Sequence, residues 1–371
     1  MNSKKFNRKD SRPFILVAPL DWGLGHATRC IPVVLMLLQQ NCKVAIAAEG
    51  ACKYLLQQEF PDLIFIELKG YRMKYSRSKH LMPVKLLVQL PKILYRIYTE
   101  HCWLNKIVKL YDIDAIISDN RPGLYHKIVP CVYITHQLKI KTGNRFTEMV
   151  AQKIHYRFIN KYNECWVPDA AGEINLAGSL SHPEILPAVP VKYLGSLSRF
   201  EKKEMELLFD LAIILSGPEP QRTVFENIIF EELKHYQGKV FMLRGLPQKK
   251  LLNSVNSPSL IIHDHLPAGA LNLAMEQSKI IISRSGYTTV MDLIKLQKRA
   301  VLVPTPGQTE QEYLANHLMQ QKLFYCTKQQ GFSLLDILKN AASFSYKEIH
   351  LPQQVYKIVI ENFIKRITGE I

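Results

Sequence analysis

The 371-residue chain has no apolar run of the ~18 residues that a membrane-spanning helix needs, so it is not expected to cross a bilayer. Its seven cysteines (Cys30, Cys42, Cys52, Cys102, Cys131, Cys165 and Cys326) include no CxxC pair. That spacing argues against a zinc ribbon or a disulfide frame and suits reduced, buried thiols in a cytoplasmic protein. The chain lacks short repeats, low-complexity tracts and any recognised nucleic-acid module, so nucleic acid is not an expected partner. Residues 1–12 are basic and polar, and the apolar run after them stops at Asp21 within a strand-like pattern, which is not the form of a signal peptide.

What is present is a globular composition, 47% hydrophobic, with an uneven basic excess. The formal net charge is +16, and residues 1–200 carry most of it, with 28 Lys and Arg against 15 Asp and Glu. Between residues 69 and 109, ten basic residues accompany one acid, Glu100, and leucines recur at helical spacing among them. Such a segment suits a helix lying on an anionic membrane surface. It equally suits a buried amphipathic helix with a solvated basic edge.

Apolar, β-rich runs recur at 14–20, 43–48, 63–68, 115–118, 129–134, 164–167 and 191–194, with helical patterns between most of them. That alternation is the mark of parallel βαβ units. The polar stretch 196–206 reads as a linker, after which a second series begins at 211–215, 240–243, 260–262, 280–282 and 300–303. The spacing therefore predicts two Rossmann-like domains, residues 12–198 and 206–348. A strongly amphipathic terminal segment falls within residues 350–371.

Two turns stand out. The first strand runs into DWGLGHATR, Asp21 to Arg29, a glycine-rich βα turn with a histidine at the helix start. More than 250 residues later, the 280–282 run enters Ser283-Arg284-Ser285-Gly286 and opens another helix. A strand that ends in small residues and begins a helix presents unpaired N–H groups and the positive end of the helix dipole to one spot, which suits a diphosphate. Each turn alone is also that of an ordinary α/β protein. The pair suggests that each domain offers its strand ends to a shared cleft.

GLGHATR (residues 23–29), together with SRSGYTTVMDL (283–293) and VPTPGQTEQEYLANHL (303–318), resembles the motifs of GT-B fold glycosyltransferases of the family 28 group. That group includes N-acetylglucosaminyltransferases of peptidoglycan synthesis and diacylglycerol glycosyltransferases. The resemblance implies an α/β, GT-B architecture, with the C-terminal helix crossing back to the N-terminal domain. It implies inverting transfer of a hexose or N-acetylhexosamine from a UDP-sugar to an acceptor hydroxyl without metal or cofactor. A lipid-linked acceptor on the inner face of the plasma membrane fits the basic stretch. A GT-B sugar-nucleotide epimerase is an alternative, although the carboxylate cluster of such enzymes is represented only by Asp119. A non-catalytic basic protein that binds membranes or nucleic acid is another.

Transfer with inversion needs a base for the acceptor hydroxyl. His26 is the candidate, with Asp119, at the end of the 115–118 run, to orient it. The alternatives are a histidine that binds diphosphate or caps a helix, and a turn-forming aspartate. By resemblance, Gly25, Ser285, Gly286 and Thr289 face the diphosphate and Asp292 the ribose. His265 lies near the uracil, and Gln308 and Gln311 meet the sugar, with Asn316 holding the loop or reaching it. Ser216, Gly217 and Arg222 form a phosphate-side loop in which Arg222 is expected to offset charge on the leaving UDP. Arg121 and His136 are expected to shape the acceptor pocket. His263 and His265 alternate along a strand, which argues against a shared metal.

Overall fold

The structure is a computed structural model that describes residues 11–72, 82–247, 258–352 and 354–370. The first domain alternates β1 (Phe14–Pro19), α1 (Leu24–Gln39), β2 (Lys43–Ala48), α2 (Gly50–Glu59), β3 (Ile64–Glu67), α3 (Met82–Tyr111) and β4 (Ala115–Asp119). It continues through β5 (Cys131–Ile134), α4 (Arg145–Ile159), β6 (Glu164–Val167) and β7 (Val191–Tyr193). These strands form one sheet in the order β3-β2-β1-β4-β5-β6-β7, every pair parallel. Strands covered on both faces must be apolar along their whole length, and β1, FILVAP, is buried at all six positions.

The second domain comprises β8 (Phe209–Ile214), α5 (Gln221–Leu233), β9 (Val240–Leu243), β10 (Leu260–His263), α6 (Ala268–Glu276) and β11 (Ser278–Ser283). It closes with α7 (Tyr287–Leu296), β12 (Ala300–Leu302), α8 (Thr309–Gln320), β13 (Tyr325–Cys326) and α9 (Leu334–Ser343). Its sheet, order β10-β9-β8-β11-β12-β13, is also wholly parallel. The two-residue β13 is too short to register as a periodic pattern. The final helix, α10 (Val355–Thr368), returns to the first domain, where Phe363 meets Trp166 edge-on at 5.4 Å and Arg366 pairs with Glu164.

A continuous apolar cluster joins the halves, from Ile15 and Ile46 through Val33 and Leu37 of α1 to Val290 and Leu293 of α7 and on to Ile281 and Leu302. The helices α1 and α7 are in contact. Both follow the C-terminal ends of central strands, so the loops at those ends converge on the domain junction.

Of the basic stretch at 69–109, residues 73–81 lie outside the described residues. The rest includes the 30-residue α3, whose side chains Val88 (75% exposed), Leu94, Tyr95 and Tyr98 face solvent. No helix among the described residues is long and apolar enough to cross a membrane.

Candidate active site at the domain junction

The β1–α1 turn is made possible by Gly23, whose φ of 118° lies where side chains are strained. The first turn of α1 has no side-chain cap and no acid. The same is true of α7, which starts after Gly286. Both helices therefore keep unpaired N–H donors and the full positive end of the dipole. The two helix starts meet: Thr288 Oγ1 donates to the Gly25 carbonyl at 3.1 Å. A Cβ on Gly25 would lie 3.1 Å from that same hydroxyl, so the close approach depends on glycine. Space is open beside Gly286, where an added Cβ would meet no atom within 4 Å.

Helix α1 places His26 and Arg29 three residues apart, on one face. Strand β4 ends at Asp119, which is fully buried, and Asn120 after it turns the chain at a φ of 56°. Asp119 Oδ1 lies 3.1 Å from His26 Nδ1. Arg29 grips the same carboxylate, donating from Nε to Oδ2 at 2.6 Å and from Nη2 to Oδ1. Burial alone would raise the Asp119 pKa, but the Arg29 and His26 charges outweigh it and hold the carboxyl far below its usual range. Burial lowers the His26 pKa, Arg29 lowers it further, and Asp119 only partly offsets them. The imidazole is therefore neutral at pH 7. Its Nε2 makes no hydrogen bond among the described residues.

His136, after β5, joins this group. It accepts from Arg29 Nη1 at Nδ1 (3.0 Å) and reaches Glu310 of α8 with Nε2 at 2.7 Å. Its ring stacks on Tyr287 with centroids 4.2 Å apart and planes 6° from parallel. Tyr287 in turn donates to the Pro168 carbonyl at 2.8 Å. The site thus draws on both domains.

A second group lies farther along α7. Asp292 accepts from Ser198 at 2.6 Å, and burial pushes its pKa up to about 6 against the opposing pull of Arg199 and Ser198. Arg199 is half-buried, its side chain 7% exposed and 3.9 Å from Glu59, and its Nε and Nη1 have no hydrogen-bond partner among the described residues. Orphaned buried donors of that kind are costly. His265 belongs to the same group: burial and then Arg199 lower its pKa, with Glu59 opposing.

Because the folded pKa of Asp292 is above that of a free carboxyl, folding binds a proton there between about pH 4 and pH 6. The penalty for a charged Asp292 is absent below that window and complete above it. Asp292→Asn is expected to stabilise the unliganded protein at pH 7–8 by about 3 kcal/mol and to leave it nearly unchanged at pH 4. Denaturant melts at the two pH values measure this, and equal gains at both would contradict it.

Several expected contacts are placed differently. Arg121 is fully buried. It pairs with Glu100 at 2.6 Å and donates to the Pro19 carbonyl at 2.7 Å, so it ties α3 to β1 and β4. Arg222 is also buried, held by Glu219 at 2.7 Å and Glu226 at 3.2 Å, and two carboxylates already neutralise its charge. Gln311 is buried, its Oε1 accepting from the Thr305 amide at 2.9 Å and its carbonyl from Ser285 Oγ at 2.8 Å. It braces the loop before α8. Asn316 is exposed on α8. Gln308 is half-buried at the α8 start, Thr289 is half-buried in the first turn of α7, and Ser216 and Gly217 sit beside Thr305 at the end of β8. In the HDH triplet, Asp264 pairs with Arg244 at 2.8 Å while the His263 ring lies against Phe241.

Sequence reasoning gave no role to Arg29, Arg199, Ser198, Tyr287 or Glu310. The three-residue step from His26 to Arg29 was a visible signal. Arg199 carried none, because its neighbours read as a solvated linker. A cavity of about 310 Å³ runs from Ser198 and Arg199 of this second group to the C-terminal ends of α1 and α7, where Met36, Gln39, Lys295 and Lys357 line it.

Two parallel Rossmann-like sheets facing across such a junction define the GT-B fold, and solved structures agree over nearly the whole chain. CalG4, the calicheamicin glycosyltransferase, superposes with a TM-score of 0.61 at 11% identity, covering 97% of this chain and 95% of that one. A Listeria monocytogenes protein assigned as a UDP-N-acetylglucosamine 2-epimerase gives 0.60 at 12% identity, over 98% of both chains. MurG of Acinetobacter baumannii gives 0.50 at 14%, over 96% and 99%. No curated protein sequence matches the chain. Residues 223–367 match the family model of the glycosyltransferase family 28 C-terminal domain, and the fold of the chain is GT-B.

Proposed function

We propose that the protein is an inverting glycosyltransferase that uses a UDP-sugar. The observation that carries this reading is the pairing of His26 with Asp119 at the start of α1, in contact with the uncapped start of α7 in the family 28 domain. In the reaction, the acceptor oxygen attacks the anomeric carbon while its proton passes to His26 Nε2. The bond from that carbon to the β-phosphate oxygen breaks, and UDP departs with the electron pair. The N–H groups after Gly286 and the α7 dipole stabilise the charge that accumulates on the diphosphate. Base action at Nε2 uses the tautomer in which Nδ1–H donates to Asp119, with Arg29 Nη2 giving up its contact with that atom. Asp292 accepts from the ribose hydroxyls, and Arg199 with His265 lines the nucleotide end. Gln308 and Glu310 border the sugar.

The acceptor reading rests on the surface of the first domain. Val88, Leu94, Tyr95 and Tyr98 on α3 and Phe146, Met149, Val150 and Ile154 on α4 are exposed apolar side chains in a strongly basic half of the chain. That combination suits an amphiphilic, lipid-linked acceptor presented at an anionic membrane. Vesicles containing phosphatidylglycerol are expected to sediment the protein, and neutral phosphatidylcholine vesicles are not. Leu94→Glu with Tyr98→Glu should cut binding at least tenfold, and equal binding to both lipids would contradict the reading.

The activity itself is tested by UDP release with a panel of UDP-sugars and acceptors. Failure of the unchanged protein to bind UDP would overturn the donor assignment. Conversion of a UDP-sugar to its 2-epimer without UDP release would replace transfer by epimerisation.

A further inference from the structure

Asp119 serves two partners. For His26 to act as a base at Nε2, Nδ1 must carry a proton and give it to Asp119 Oδ1. Arg29 occupies the same carboxylate with two nitrogens and brings Nη2 within 2.8 Å of His26 Nδ1, against 3.1 Å for Asp119 Oδ1, so the two compete for that atom: Arg29 donating there puts the ring proton on Nε2, and Asp119 accepting there puts it on Nδ1. A guanidinium only donates. Its charge beside Nδ1 disfavours the imidazolium, and its hold on Asp119 weakens the carboxylate's pull on a second proton. Arg29 is itself held. Its Nη1 donates to His136 Nδ1 at 3.0 Å, which leaves the proton of a neutral His136 on Nε2, aimed at Glu310 Oε1 2.7 Å away. Burial opposes a charged Glu310, but His136, His26 and Arg29 together keep its pKa below the usual value. The groups around His26 are therefore Arg29 and Cys30 on its own helix, Asp119 from β4, His136 from β5, Tyr287 from α7 and Glu310 from α8.

We propose that Arg29 is a positioning residue that keeps His26 uncharged and competes with Asp119 for its Nδ1, and that its own place is fixed from the donor domain through His136 and Glu310. The chain Glu310–His136–Arg29–Asp119–His26 crosses the cleft without a break, so the base is set when the two domains meet. This rests on the transferase reading for its purpose but not for its measurement.

The test is NMR titration of histidine ring nitrogens in the full-length protein without substrate, beside the pH profile of kcat/KM. Arg29→Gln should move the His26 titration upward by about 1–3 pH units, and the acid limb of kcat/KM should move with it. Arg29→Lys, which keeps the cation, should restore most of both. If Arg29→Gln does not fold, the lysine variant and Glu310→Ala carry the test. Glu310→Ala should remove the hydrogen-bonded, downfield Nε2–H proton signal of His136, because Glu310 is its acceptor. An activity loss in Arg29→Gln with an unmoved His26 titration would reduce Arg29 to a structural ion pair and overturn the proposal. A retained downfield Nε2–H signal of His136 in Glu310→Ala would overturn the link across the cleft. If His26 shifts as expected but no UDP-sugar is turned over, the transferase reading fails and the electrostatic coupling stands.

Discussion

His26→Ala is expected to lower turnover by about 10²–10⁴-fold while leaving UDP affinity within about twofold of the unchanged protein. The magnitude is that of a positioned general base removed from an otherwise intact site. The asymmetry follows from where the groups sit. His26 stands on the first domain with Nδ1 tied to Asp119, whereas the proposed diphosphate and ribose contacts come from the start of α7, Asp292 and the linker. The small alanine leaves the α1 start intact, because the Gly25–Thr288 contact uses backbone and hydroxyl only. Calorimetric UDP binding and a UDP-release assay together decide the matter. A variant that loses UDP binding in step with turnover would make His26 a diphosphate ligand.

The largest stability effect is expected at Asp119. Asp119→Ala would leave the Arg29 guanidinium buried with no carboxylate, since its remaining partners, His26 and His136, are imidazoles. Breaking one side of a buried ion pair costs about 3–5 kcal/mol. Asp119→Asn keeps the shape but loses the charge, and it can present its amide N–H to His26, which would turn the imidazole to the wrong tautomer. Both variants should therefore lose turnover, the alanine with the lower melting midpoint. The pH dependence has a definite sign. The folded Asp119 pKa is depressed, so its stabilisation is complete above the unfolded value of about 3.9 and is lost as pH falls toward the folded one. The gap between the unchanged protein and Asp119→Asn should be full at pH 7 and shrink below about pH 4. A constant gap across that range would show that Asp119 matters by shape alone.

Much of this site was legible because parallel sheets put strand ends on one edge. Once 14–20 and 115–118 read as strands of one sheet, His26 and Asp119 had to sit at the same edge, and the register pairs Pro19 with Asp119. The SRSG turn was legible for the same reason. The arginines were not. Arg121 lies two residues past a strand end, like a ligand, but its partner Glu100 comes 21 residues earlier on α3, and no local pattern announces that pairing. Arg222 reads as a cation at a helix start until Glu226, one turn later, turns it inward. Arg199 shows the converse. Its charged neighbours suggest solvent, yet the fold closes Glu59 and α7 over it. Long-range packing decides which cations remain available to a ligand, and hydrophobic periodicity carries no record of it.

The most direct test of the central claim is a crystal structure of the protein soaked with UDP. The account predicts the diphosphate at the start of α7, against the amides following Gly286 and across from Gly25 and His26, with the ribose on Asp292. UDP bound instead in the cavity beside Gln39 and Lys357, or leaving the α7 start without a phosphate, would contradict it.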